Sequence, residues 1–205
     1  MMKWKRLTNW IRVKVFSIGC ELGFKKKGKM KIVVLNGSPR TKGNSNMIAE
    51  EFIRGAKESG HEIVEFDCAK HKIGGCMACD TCGMAGPCVQ KDDFEIIRSH
   101  LINCDSILFT TPIYYFGVSG QLKNVIDRFY SIHGLMGTKK VLLFATMGNP
   151  NTVVAEPSIK MYELMCRYLG WKDCGKIIAN GISARGAIKT SKFMKQAYEL
   201  GKNLK

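Results

Sequence analysis

Cys76, Cys79, Cys82 and Cys88 place four thiols within thirteen residues, in the segment GGCMACDTCGMAGPCVQKDD. Thiolates at that density are ligands for soft metals or partners in redox chemistry. The spacing Cys-x2-Cys-x2-Cys-x5-Cys, on a glycine-rich irregular backbone, lets four sulfurs meet one iron–sulfur cubane without distant ligands. A structural zinc ion would also accept four thiolates, although its usual arrangement separates two cysteine pairs by a longer loop. Free, redox-sensitive thiols are the third reading. The other five cysteines, Cys20, Cys68, Cys104, Cys166 and Cys174, are scattered and read as small hydrophobes or idle thiols. His61, His71, His100 and His133 share no metal-ligand spacing, and no Ser-His-Asp arrangement can be argued.

A second candidate site is the run Asn36-Gly37-Ser38-Pro39-Arg40-Thr41-Lys42-Gly43-Asn44-Ser45-Asn46, between a short β-branched segment and a helical one. Gly37 and Gly43 permit close backbone approach, Ser38, Asn44, Ser45 and Asn46 offer side-chain hydrogen bonds, and the helix start supplies free N–H groups. Arg40 adds a charge-assisted contact. The run lacks the Gly-Lys-Ser/Thr ending of a nucleoside-triphosphate loop and the Gly-x-Gly-x-x-Gly spacing of a dinucleotide fold. A terminal phosphate monoester, bound without magnesium, is the natural ligand. The plainer alternative is an ordinary turn with Asn or Ser capping the helix.

The third segment, Thr110-Thr111-Pro112-Ile113-Tyr114-Tyr115-Phe116-Gly117, carries three consecutive aromatics bounded by Pro and Gly. Exposing all three is costly, and all three are not expected to face the core. A flat, partly apolar ligand would cover them; packing on a neighbouring subunit is the alternative. Thr146-Met147-Gly148-Asn149-Pro150 could complete the wall with backbone donors. A phosphate cradle at one end and an aromatic wall at the other describe flavin mononucleotide (FMN).

These loops need a frame to converge. Short β-branched runs predict strands over Lys31–Leu35, Glu62–Phe66, Ser106–Thr110, Lys140–Thr146 and Lys176–Ala179. Apolar residues at helical spacing lie between them: Ile48, Phe52 and Ala56, then Leu122, Val125, Ile126 and Phe129, then Met161, Leu164, Met165, Tyr168 and Leu169. Two shorter helices are expected over Phe94–Asn103 and Ala187–Lys202. This alternation predicts an α/β, flavodoxin-like, doubly wound five-stranded parallel sheet of order 2-1-3-4-5 with helices on both faces. Ligands bind such sheets beyond the carboxyl ends of strands 1 and 3, where the candidate loops emerge. The cysteine run leaves strand 2, on the same edge.

A chain of 205 residues with 45% hydrophobic content suits one well-buried domain. The division expected is a basic N-terminal extension over residues 1–29, disordered or the product of an upstream start, and an FMN-binding domain over 30–205. The extension holds nine basic residues and one acidic, about half of the net charge of +15. Arg12 and Lys14 interrupt its only candidate apolar signal segment. Ser17-Ile18-Gly19-Cys20 is a poor match to a lipoprotein cleavage site. From Met30 onward the balance is ordinary for a domain that binds anionic ligands, so nucleic acid is not taken as the partner. An odd number of cysteines and no transmembrane segment fit a reducing cytoplasm.

Gly37-Ser38-Pro39-Arg40 with Gly43-Asn44-Ser45, Pro112-Ile113-Tyr114, and Ser119-Gly120-Gln121-Leu122-Lys123-Asn124 with Asp127-Arg128 resemble the NADPH-dependent FMN reductase family. The resemblance covers nearly everything from Met30 onward. It implies a flavodoxin-like fold, non-covalent FMN, NAD(P)H as co-substrate and a homodimer or homotetramer. The implied contacts are Ser38, Arg40, Asn44, Ser45 and Asn46 for the phosphate, and Pro112, Ile113, Tyr114, Tyr115 and Phe116 for the isoalloxazine, with Thr146, Met147 and Gly148 at its edge. The cysteine run resembles the motif of the iron-sulfur flavoproteins, which implies a 4Fe-4S cluster on Cys76, Cys79, Cys82 and Cys88. No side chain is assigned catalysis, because the chemistry is that of FMN. The expected activity passes electrons from nicotinamide through flavin to a quinone, nitro or azo compound or a protein. The alternative is an electron carrier fed by a ferredoxin-like partner, with little NAD(P)H activity.

Overall fold

A computed structural model describes residues 28–205. The basic N-terminal extension, apart from its last two residues, lies outside the described residues, and Cys20 with it.

The elements follow one another as β1 (Lys31–Asn36), α1 (Asn44–Glu58), β2 (Glu62–Asp67), α2 (Phe94–Asn103), β3 (Ser106–Tyr114), β4 (Gly117–Val118), α3 (Gly120–Asp127), β5 (Lys140–Thr146), α4 (Glu156–Leu169), β6 (Lys172–Ala179) and α5 (Lys192–Asn203). Turns of 3-10 helix cover Arg128–Leu135, Thr152–Ala155 and Ala187–Thr190. The main sheet runs β2-β1-β3-β5-β6, all parallel, and β4 pairs antiparallel with the far end of β3. With the short β4 set aside, this is the expected 2-1-3-4-5 order.

The central strands are buried on both faces, hence their unbroken apolar runs. Val33, Leu35, Ile107, Phe109, Val141 and Leu143 pack against α2, α3 and α4. Their alternating neighbours Ile32, Val34, Leu108, Leu142 and Phe144 pack against α1 and α5. Each such side chain contributes about 1.5–3 kcal/mol by leaving water.

Helices α1 and α5 cross with backbones almost touching. A Cβ on Gly55 would lie 2.2 Å from the Tyr198 carbonyl oxygen, and one on Gly201 would lie 2.1 Å from that of Phe52. Only hydrogen side chains fit at that crossing. His61 is buried beside it, accepting from the Met30 N–H through Nδ1 at 3.1 Å and lying 3.1 Å from the Leu204 carbonyl through Nε2. It is a tie between chain segments.

Three boundaries differ from expectation, and the first is β6, which begins at Lys172 instead of Lys176 because Lys172 and Asp173 pair with Lys140 and Val141. β3 runs four residues past Thr110, because Thr111 and Pro112 stay in register with Ala145 and Thr146, and Ile113 and Tyr114 then pair with β4. The aromatic segment is therefore a β-hairpin. The expected last helix is divided at Ser191, whose extended backbone separates the Ala187–Thr190 turn from α5.

Candidate functional site

The loop after β1 is held by backbone contacts that admit only glycine. The Gly37 N–H donates to the Thr110 carbonyl at 2.8 Å, and the Ser119 hydroxyl donates to the Gly37 carbonyl at 2.6 Å. A Cβ on Gly37 would lie 2.8 Å from both Leu122 Cβ and Ser119 Oγ. At the helix start, a Cβ on Gly43 would lie 2.7 Å from Ser38 Oγ. Ser38 and Ser45 are buried, and α1 carries no side-chain cap on its first turn. That turn keeps the partial positive charge of a helix N-terminus facing the loop.

Three neighbouring loops close on this turn. Ser45 Oγ and Thr146 Oγ1 are 2.6 Å apart, and the Thr110 hydroxyl donates to the Ser45 carbonyl at 2.9 Å. The helix start is thereby bolted to the middle of β3 and the end of β5. The result is a crevice of about 250 Å³ lined by ten of the thirteen expected residues: Ser38, Arg40, Asn44, Ser45, Pro112, Ile113, Tyr114, Thr146, Met147 and Gly148.

The remaining three sit elsewhere. Asn46 lines a separate polar cavity of about 460 Å³ with Asn36, Asp67 and His71. Tyr115 is fully exposed and Phe116 half-exposed at the tip of the β3–β4 hairpin. Both have positive φ, 46° and 65°, which makes the tip a type I′ turn built from aromatics instead of Asn and Gly. Asn44 reaches the crevice, but its side chain is engaged with the following loop: it donates to the Ala184 carbonyl and accepts from the Gly186 N–H, each at 2.9 Å.

That loop, between β6 and α5, was missed from the sequence. Ile182 and Ser183 line the crevice, the Ile182 N–H donates to the Met147 carbonyl at 2.9 Å, and Arg185 donates to the Thr41 carbonyl at 2.6 Å. The signal was its place after a strand, on the edge already singled out. A larger cavity of about 600 Å³ between β6 and α5 is lined by Lys176, Lys192, Lys195 and Glu199 and holds none of these donors.

The cysteine run forms a compact loop after β2. Ala78, Asp80 and Met84 take left-handed backbone conformations, with φ of 53°, 57° and 64°. Such non-glycine residues cost about 1–3 kcal/mol each and cluster at functional sites. Here they turn Cys76, Cys79, Cys82 and Cys88 onto one small cavity, which Tyr130, Ser131 and Arg128 also line. Cys76 and Cys79 are exposed, and Cys82 and Cys88 are half-buried. The backbone N–H and hydroxyl of Thr81 hold the Cys79 thiol below its ordinary pKa. Burial instead pushes Cys104, Cys166 and Cys174 up, and Cys68 up to about 12.

The donor set is four sulfurs. Among the described residues no three His, Cys, Asp or Glu side chains converge as a single metal ion would require. Tetrahedral zinc needs four sulfurs about 2.3 Å from one centre. A cubane also takes four thiolates, each on a different iron.

Helix α3 joins the two sites. Ser119, at its N-cap, holds the phosphate-type loop through Gly37. Asn124 donates to the Ile73 carbonyl at 2.9 Å, and Arg128 to the Gly74 carbonyl at 3.2 Å, two residues before the first cysteine. Gln90 donates to the Gly75 carbonyl at 2.9 Å and closes the loop from its far end.

Known proteins resemble this chain in sequence and in fold. An iron-sulfur flavoprotein of Archaeoglobus fulgidus is 31% identical over 130 residues, covering 60% of this chain and 59% of that protein. Another, from Methanocaldococcus jannaschii, is 33% identical over 99 residues, covering 48% of this chain and 51% of that protein. The chain thus spans between half and three fifths of these relatives' lengths. Among solved structures, an NAD(P)H:quinone oxidoreductase from Methanothermobacter marburgensis superposes with a TM-score of 0.68 at 18% identity, over 86% of this chain and 96% of that one, which places the fold. Residues 30–164 match the family model of the NADPH-dependent FMN reductases, and the chain belongs to that family.

Proposed function

We propose that this protein is an FMN-dependent NAD(P)H oxidoreductase that also carries a 4Fe-4S cluster on Cys76, Cys79, Cys82 and Cys88. The observation that carries the flavin part is the cradle at the start of α1, where Gly37 and Gly43 have no room for a Cβ and the buried Ser38 and Ser45 flank an uncapped helix turn. That donor set fits a phosphate monoester. The crevice is smaller than a pocket that encloses a drug-sized ligand, so FMN would be held from one side and stay open to a second reactant.

When bound, FMN would supply hydride and electron transfer, and the cluster single-electron steps. The chain's own part is orientation. Arg40 and the α1 amides would hold the phosphate, and Pro112 to Tyr114 with Met147 and Gly148 would flank the ring. The Ser45–Thr146 hydrogen bond keeps the two walls at fixed separation before any ligand arrives. A quinone, nitro or azo compound is the acceptor class proposed, in a homodimer or homotetramer.

A second reading is favoured by exposure at the cysteine loop. Cys76, Cys79 and the 61% exposed Met77 present that cavity to the surface, where a ferredoxin-like donor could exchange electrons directly. One anaerobic experiment separates the readings: a visible spectrum with iron and sulfide analysis, followed by NADPH or NADH. Flavin bands, about four irons per chain and rapid bleaching support the oxidoreductase. Slow bleaching beside a loaded cluster favours the carrier, flavin without iron removes the cluster, and no chromophore overturns both.

A further inference from the structure

We propose that Arg128 is the electrostatic partner of the cysteine cavity, donating N–H···S hydrogen bonds to the sulfurs of an anionic iron–sulfur centre and raising its reduction potential. The proposal rests on the reading that Cys76, Cys79, Cys82 and Cys88 hold such a centre.

Arg128 is only 1% exposed, a setting in which arginine needs its charge and its donors matched. One nitrogen is matched: Nη1 donates to Asp92 Oδ2 at 2.6 Å and to the Gly74 carbonyl at 3.2 Å. The guanidinium carbon lies 4.9 Å from the centre of the Phe94 ring, which covers one face. Nε and Nη2 are buried and have no acceptor among the described residues. A clasp on Gly74 and Asp92 therefore accounts for part of the side chain and leaves two donors to explain.

The surroundings indicate the missing acceptor. Arg128 lines the same cavity as all four cysteines. The cavity's other polar side chains, Asp80, Gln90, Tyr130 and Ser131, make hydrogen bonds of their own, and none of them accepts from Nε or Nη2. Sulfur is the acceptor this cavity holds in excess. Reduction adds one electron to the centre with no bond made or broken. A fixed cation and N–H donors stabilise the more negative, reduced form more than the oxidised one.

The test uses the full chain, reconstituted anaerobically with ferrous iron and sulfide. Iron and sulfide are counted, FMN retention checks the fold, and the cluster's midpoint potential is followed by the paramagnetic resonance of its reduced form. Arg128→Gln should load but shift the potential downward, by at least a tenfold change in the oxidised-to-reduced ratio, about 59 mV. Asp92→Asn keeps the arginine, removes its neutralising carboxylate and should shift the potential upward; it decides the matter if Arg128→Gln does not fold. Unchanged potentials in loaded variants overturn the proposal and leave the cluster standing. A wild-type chain that takes up no iron overturns the cluster reading and the proposal with it.

Discussion

The side-chain amide of Asn124 donates to the backbone carbonyl of Ile73 at 2.9 Å, fastening α3 to the approach of the cysteine loop. The same helix begins at Ser119, whose hydroxyl holds Gly37 in the phosphate-type loop. Two candidate redox sites therefore share one rigid element, and substitutions that disturb either can be read against the other.

Arg40 is exposed at the mouth of the crevice, with its backbone N–H on Ser38 Oγ at 3.3 Å. Replacing it with Ala removes one charge-assisted phosphate contact, worth about 1.5–3 kcal/mol. The expected loss of FMN affinity is about tenfold to somewhat over a hundredfold, read by flavin fluorescence titration. Unchanged affinity refutes the phosphate role of this residue.

Thr146→Val should leave the buried Ser45 hydroxyl without its partner, costing about 1–3 kcal/mol in urea unfolding. Adding Ser45→Ala should recover much of that loss, since removing both partners of a buried pair is far milder than removing one. A double variant no more stable than Thr146→Val means that the hydroxyl pair is not coupled.

Tyr115 and Phe116 hold left-handed conformations that cost about 1–2 kcal/mol per non-glycine residue. The double change Tyr115→Asn and Phe116→Gly installs the pair a type I′ turn prefers and should raise stability by at least about 1 kcal/mol. Thermal unfolding measures this, and turnover of quinone and azo acceptors measures separately what the aromatic tip contributes. No gain in stability shows that the tip is not strained in solution.

Asp92 gives a pH signature. Burial acts to raise its carboxyl, but hydrogen bonds from Arg128 and from the Gly74 and Phe94 N–H groups outweigh it and hold the group below its ordinary value of 3.8. The unfolded chain then binds the proton first as pH falls. The stabilisation is complete above the ordinary carboxylate range and is lost as pH drops through the lower folded value. Asp92→Asn should lower stability near neutrality and flatten the acid limb of a urea-midpoint profile; an unaltered slope below pH ~4 counts against it.

The sheet order and ten of thirteen crevice residues were legible because both follow from local rules, period-two and period-3.6 patterning and the loops at the carboxyl edge of a doubly wound sheet. The hairpin at Tyr115 was hidden because its residues contradict turn chemistry: aromatics stand where Asn and Gly are expected. Ile182 and Ser183 were hidden for another reason, since their place depends on Asn44 reaching across the sheet. The place of Arg128 against the cysteine loop is a tertiary fact that no local pattern encodes.

The crossing of Gly55 and Gly201 carries a consequence for how the cradle is assembled. Helix α1 orders the phosphate-type loop, yet its outer face is completed by α5, which arrives from far along the chain. Until α5 docks, Phe52 and Ile53 lack part of their cover, so the loop is steadied by a contact of high sequence separation, the kind that forms slowly in folding. A side chain at either glycine would hold the two helices apart and loosen a cradle that neither residue lines.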